Sequence, residues 1–156
     1  MDSKQADRSS GPVVLCALEL NPEVDARAML AADALSRRLR ATLHLVHSTP
    51  PEVDVAGNEL AHRDEVLARI EQELRAMDEE LLVSVLHPLQ GDPAVTVPAL
   101  AENLGAMFLV VGTRARSGIR RLALGSTAER IVRASSVPIF VVPMDSDLSA
   151  MFPQSN

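Results

Sequence analysis

Apolar residues along the chain fall into short continuous runs that alternate with longer stretches spaced at three and four residues. The first run, Pro12 to Leu18, is apolar almost throughout, the pattern of a strand covered on both faces. It predicts a central parallel strand. Glu19-Leu20-Asn21-Pro22 follows, where Asn21 suits a helix N-cap and Pro22 the first helical position, at which its missing N–H costs nothing. Val24, Ala28, Ala31, Leu35 and Leu39 then recur at helical spacing. Glu23 and Asp25 at the start and Arg37, Arg38 and Arg40 at the end match the helix dipole.

Thr42 to His47 predicts a second strand, ended by Ser-Thr-Pro-Pro, and a loop runs on to about Gly57. Leu60, Leu67, Ile70, Leu74 and Met77 form the apolar stripe of a second helix, with Arg63, Glu65, Glu71 and Arg75 on a solvated face. Leu82 to Leu86 reads as a third strand. Gly91-Asp92-Pro93 repeats the cap-then-proline device before a helical stripe of Val97, Leu100, Ala101 and Leu104. Met107 to Val111 gives a fourth strand, Ala128 to Ala134 a last helix with Ile131 and Val132 inward, and Ile139 to Val142 a fifth strand.

Strands and helices alternating in this way predict right-handed crossovers onto a parallel sheet with helices on both faces, a doubly wound α/β fold. Such sheets bind ligands beyond the carboxyl ends of the strands, where the strand order reverses. The first and fourth strands are the expected neighbours there.

Composition narrows the function. The 156 residues suit one domain, over residues 12–143, flanked by polar tails at 1–11 and 144–156 that carry no periodic pattern and are expected to fray. With no Trp or Tyr and three Phe, the core must be aliphatic. A net charge of -6 argues against a general nucleic-acid binder, so any anion site must be local. Cys16, the one cysteine, lies in an apolar run and reads as a buried, inert thiol, consistent with a reducing cytoplasm. No apolar stretch is long enough for a membrane span or a signal segment.

The chemistry concentrates in "VVGTRARSGIRRLALGSTAERIVRASSVPIFVV", residues 110 to 142. Gly112, Gly118 and Gly125 punctuate a loop that carries Arg114, Arg116, Arg120 and Arg121 between a strand and a helix. Unpaired backbone N–H groups at such a helix start can hold an anion, and Ser126 can either cap the helix or donate to a phosphate. The arginines suit either phosphate contact or pairing with nearby acids. The chain has no G-x-x-x-x-G-K-[ST], G-x-G-x-x-G or G-x-S-x-G. His44, His47, His62 and His87 lie scattered without metal-ligand spacing, so neither catalytic residues nor a metal site are indicated.

"VVGT", the glycine- and arginine-bearing loop, "LGSTAERIVR" and "SSVPIFVVP" resemble the C-terminal signature of the universal stress protein family. "VVLCALELNPE", "LHLVHSTPP" and "QGDPAVTVPALAENLGA" agree in order and spacing, so the resemblance covers residues 12 to 143. It implies a flavodoxin-like or HUP-type five-stranded sheet in the order 3-2-1-4-5, a cytoplasmic regulatory homodimer, and, in one branch, ATP with Mg²⁺ between the first and fourth strands. The family motif G-x2-G-x9-G-[ST] maps onto Gly112, Ala115, Gly125 and Ser126, with alanine replacing the second glycine. Arg116 and Thr127 adjoin these positions. Glu19 stands where ATP-binding relatives commonly place Asp, and Ser48 where an apolar residue usually lines the adenine pocket. Three readings follow: an ATP-binding regulatory dimer with a protein partner still to be identified, a nucleotide-free interaction dimer, and a slow ATP hydrolase, for which no base is evident. The dimer is expected to close through the edge strand Ile139, Phe140, Val141 and Val142, whose backbone groups invite another chain.

Overall fold

The computed structural model describes residues 11–50, 59–77, 79–114 and 124–152. Its elements are β1 (Val13–Ala17), α1 (Pro22–Leu39), β2 (Thr42–Thr49), α2 (Glu59–Ala76), β3 (Val83–Gln90), α3 (Pro93–Asn103), β4 (Ala106–Thr113), α4 (Ser126–Ala134) and β5 (Ile139–Pro143), then a 3₁₀ turn at Ser149–Met151. The sheet runs β3-β2-β1-β4-β5 with parallel pairing throughout. This is the doubly wound order expected of the chain.

All of β1 is buried, as its continuous apolar run requires. Val14 and Cys16 join a core with Ala28 of α1 and Ile70 of α2, whereas Val13, Leu15 and Ala17 join one with Val97 of α3 and Ile131 of α4. Leu15, Leu43, Leu45 and Leu109 are fully buried, each side chain contributing ~1.5–3 kcal/mol of burial. Burial pushes the Cys16 thiol well up from its ordinary value, so it stays protonated and inert.

Helix α1 starts as its sequence dictates. Asn21 Oδ1 accepts the Glu23 N–H at 3.2 Å, and Pro22 takes the first helical position. Asp92 caps α3 in the same manner, accepting the Ala94 N–H at 3.0 Å ahead of Pro93. A cap of this kind contributes about 1 kcal/mol. Helix α2 buries Ile70 and half-buries Leu67, Leu74 and Met77, while Arg63, Glu65, Glu71 and Arg75 are exposed, as the stripe predicts. The side chain of Leu60 lies outside the described residues.

Three expectations need correction. β2 and β3 run on to Thr49 and Gln90, through Pro88, because β3 is an edge strand and Pro88 interrupts no ladder beyond it. β4 contains the expected Met107 to Val111 but runs from Ala106 to Thr113, and its register against β1 jumps from Val13↔Ala106 to Val14↔Phe108, with Met107 40% exposed. The C-terminal tail does not fray up to Phe152. Leu148 is buried in the α1-side core, Arg27 Nη1 donates to the Ser146 carbonyl at 3.1 Å, and Arg38 Nη2 to that of Ala150 at 3.3 Å. The N-terminal tail up to residue 10 lies outside the described residues.

Candidate functional site

A cavity of about 680 Å³ opens at the carboxyl ends of the strands, where β1 and β4 lie side by side and the chain crosses to opposite faces of the sheet. Its size falls in the ordinary range of small-molecule clefts. Glu19, Ser48, Gly112, Gly125, Ser126 and Thr127 all line it. The fold thus gathers six of the eight residues singled out in sequence, while Ala115 and Arg116, with Gly118, Arg120 and Arg121, lie outside the described residues.

The β1–α1 turn supplies Glu19. Leu20 in this turn has φ 60, the left-handed region that costs a branched side chain roughly 1–2 kcal/mol. Asp25 holds the turn from inside α1, its Oδ1 accepting the Glu19 N–H at 2.9 Å and its Oδ2 the Asn21 N–H at 3.1 Å. Asp25 is therefore more than a dipole-matching surface acid; it is 1% exposed. The Glu19 carboxylate meets Arg114 Nε at 3.7 Å. Partial burial raises the Glu19 pKa, Arg114 lowers it, and the nearby Asp25 charge raises it again, for a net upward shift.

The two motif glycines of the described chain answer to different demands. A Cβ on Gly112 would lie 2.7 Å from Val24 Cγ1 and 3.0 Å from the Val24 carbonyl oxygen, so glycine is needed there for β4 to pack on α1. At Gly125 a Cβ would meet no atom of the described residues within 4 Å. Gly125 is the N-cap of α4, and Ser126 is its first helical residue rather than its cap. Among the described residues no side chain caps this helix, so the first-turn N–H groups at Ser126 and Thr127 carry their partial positive charge into the cleft.

Among the described residues, the carboxylates and arginines that line the cleft are paired. Besides Arg114 with Glu19, Arg130 Nη2 of α4 bonds Asp92 Oδ2 at the start of α3. The Arg130 bond, followed by the Ala94 N–H, holds the Asp92 carboxyl below its usual range. Arg130 carries no signal of its own in sequence because it sits among other α4 charges, Glu129 and Arg133, that pair with each other along the helix. Ser48 is buried and its hydroxyl is already engaged, donating to the Gly91 carbonyl at 3.0 Å and accepting from Thr96 Oγ1 at 2.7 Å. It presents a tethered oxygen to the cleft. His47 Nδ1 donates to the Leu18 carbonyl at 2.8 Å, tying β2 to the end of β1.

The histidines are less scattered than their spacing suggests. His44 Nδ1 and His87 Nε2 lie 2.9 Å apart across β2 and β3, with the rings stacked. Burial holds both pKa values below the ordinary imidazole value. Among the described residues no group of three or more His, Cys, Asp or Glu side chains is arranged to hold a metal ion, and no helix is long and apolar enough to cross a membrane.

Comparison with known proteins agrees with this architecture. A segment of 72 residues is 35% identical to the universal stress protein MJ0531 of Methanocaldococcus jannaschii, covering 46% of this chain and 42% of that protein. The match thus spans less than half of the relative's length. A universal stress protein solved in complex with cAMP superposes with a TM-score of 0.55 at 20% identity, over 86% of this chain and 98% of its own. The Archaeoglobus fulgidus universal stress protein in complex with dAMP gives a TM-score of 0.55 at 18% identity, over 84% of this chain and 96% of its own. Likeness at these identities establishes the fold. Residues 12–143 match the universal stress protein family as a whole, and the chain belongs to that family.

Proposed function

We propose that the cleft between β1 and β4 binds ATP or a related adenine nucleotide and that the protein acts as a small cytoplasmic regulatory dimer. The observation that carries this reading is the uncapped start of α4, which faces a 680 Å³ cavity at the point where the strand order reverses. Phosphates would accept from the first-turn N–H groups around Gly125, Ser126 and Thr127. Glu19 would accept from an adenine amino group or a ribose hydroxyl, and Mg²⁺ would accompany the phosphates. Two structural relatives hold cAMP and dAMP, both adenine nucleotides. Binding becomes regulation only through a difference in affinity between two conformations.

The second reading, a nucleotide-free interaction dimer, draws on the Arg114–Glu19 and Arg130–Asp92 pairs, which already neutralise both cleft arginines among the described residues. A slow ATP hydrolase has less in its favour, because Asp92, held below its usual range by Arg130, is a weak base. Native mass spectrometry of protein purified without added ligand separates the first two readings. A co-purified adenine nucleotide supports the first, and a bare chain under gentle desolvation supports the second.

Ala115→Gly restores the glycine of the family motif. It is expected to tighten Mg-ATP binding by up to a few-fold, about 1 kcal/mol or less, in a calorimetric titration. Unchanged or weaker binding would show that the position 115 methyl is no obstacle.

The dimer contact is assigned to β5. This strand pairs with β4 on one side, and Phe140 on it is 36% exposed. The tail beyond it turns back onto α1. Antiparallel contact of Ile139, Phe140, Val141 and Val142 with a second copy would cover the edge. Phe140→Glu is expected to weaken self-association at least ten-fold, about 1.4 kcal/mol, read as a shift from dimer to monomer mass in light scattering. A wild-type chain that stays monomeric at all concentrations contradicts this contact.

A further inference from the structure

Helices α1 and α2 bury two carboxyl groups against each other. Asp25 is 1% exposed and Glu73 is 8% exposed, and their side chains are hydrogen-bonded. Two carboxylates cannot share a hydrogen bond without a proton between them. Its location follows from the other partners. Burial raises the Asp25 pKa, but Asp25 also accepts the backbone N–H groups of Glu19 and Asn21, bonds that favour its charged form. Among the described residues no group donates a hydrogen bond to the buried Glu73 Oε2. Glu73 therefore carries the proton and donates it to the Asp25 carboxylate.

We propose that the Asp25–Glu73 pair is a proton-binding site whose occupancy sets the β1–α1 turn, and through that turn the affinity of the cleft for its nucleotide. The second half rests on the nucleotide reading above. The bonds from Asp25 straddle Leu20, held at φ 60, and fix the backbone of Glu19, which lines the cleft. When the proton leaves, two anions face each other in a buried contact. Asp25 is then pushed from its place, and the turn that it holds is released.

The surrounding groups leave this transition to the pair itself. From β1, Cys16 feels the Asp25 charge, as does Glu19 from the β1–α1 turn; from β2, His47 does; from α2, Arg69 faces both Glu73 and His47, and His62 faces His47. Cys16 stays a thiol, and burial holds His47 below the ordinary imidazole value, so it is neutral above neutral pH. Arg69 is the one cation among them and is exposed, so it offsets the buried charge only in part. Burial first, then the hydrogen bond to Asp25 and its charge, push the Glu73 carboxyl up to about 8. A carboxyl raised in the fold favours folding while protonated. Its contribution is full below the unfolded value of 4.5 and is lost as pH rises through about 8.

The test follows the backbone amides of Glu19 and Asn21 by NMR between roughly pH 6 and pH 9.5, with Mg-ATP affinity measured by calorimetry across the same range. In the wild type both amides should titrate together with a midpoint near 8. Affinity should fall by roughly 5-fold or more above that midpoint, in the usual range of coupling between sites. Glu73→Gln keeps the donor and removes the charge, so its amides and affinity should stay flat. Static wild-type amides overturn the proton site, with no variant required. Titrating amides with pH-independent nucleotide affinity overturn the coupling. Titrating amides in a protein that binds no nucleotide at any pH establish the proton site and sink the nucleotide reading instead.

Discussion

Gly112→Ala is expected to lower stability by about 1–3 kcal/mol, the usual cost of forcing one methyl into a closed contact. The new Cβ would stand 2.7 Å from Val24 Cγ1, 3.0 Å from the Val24 carbonyl oxygen and 3.3 Å from Ala28 Cβ. None of these can yield cheaply. Val24 is 1% exposed and β-branched, so its side chain is stiff within the helix, and the carbonyl belongs to the α1 backbone. Either α1 or the end of β4 must move. In a chain of this size each kcal/mol lowers the thermal midpoint by about 2–4 °C, an effect that a melt followed by circular dichroism resolves. An unchanged midpoint would mean that β4 and α1 have slack between them, contrary to the distances.

Gly125→Val should do the reverse, sparing the fold and damaging the cleft. No atom of the described residues lies within 4 Å of a Cβ built there, and φ -54 with ψ 152 is open to any residue. Replacing glycine by valine at an N-cap costs about 1 kcal/mol or less. The branched side chain would stand at the start of α4, where phosphates would approach the first-turn N–H groups. Nucleotide affinity is expected to fall at least ten-fold, about 1.4 kcal/mol. Comparing melts and titrations of the two variants tells structural glycine from binding glycine. If Gly125→Val bound nucleotide as the wild type does, the α4 terminus would not be the phosphate site.

Much of this fold is legible because local signals agree with it. Asn21-Pro22 and Asp92-Pro93 start α1 and α3 where their caps and prolines say, and the continuous run of β1 is a strand buried on both faces. Strand ends were harder to read. The run Leu82 to Leu86 stops short of the real end of β3, which continues through Pro88 to Gln90 because on an edge strand the missing donor does no harm. The site divides in the same way. Glu19, Gly112, Gly125 and Ser126 reach the cleft because strand ends and helix starts are set by chain order. The reason for Gly112 is invisible in sequence, because Val24 and Ala28 approach it only after α1 packs across β4. Ser48 likewise gains its partners Gly91 and Thr96 from the β3–α3 turn. Asp25 and Glu73 are harder still. Each reads as a helix-surface acid, and only the tertiary meeting of α1 with α2 turns them into a buried pair that shares one proton.

Calorimetric titration of the wild-type protein with Mg-ATP decides whether the cleft between β1 and β4 holds a nucleotide. A saturable heat with one nucleotide per chain, at or below millimolar ATP, is the predicted result. A folded protein that gives no heat at millimolar Mg-ATP contradicts it, leaving Arg114–Glu19 and Arg130–Asp92 as closed ion pairs at the rim of a cleft that serves another ligand.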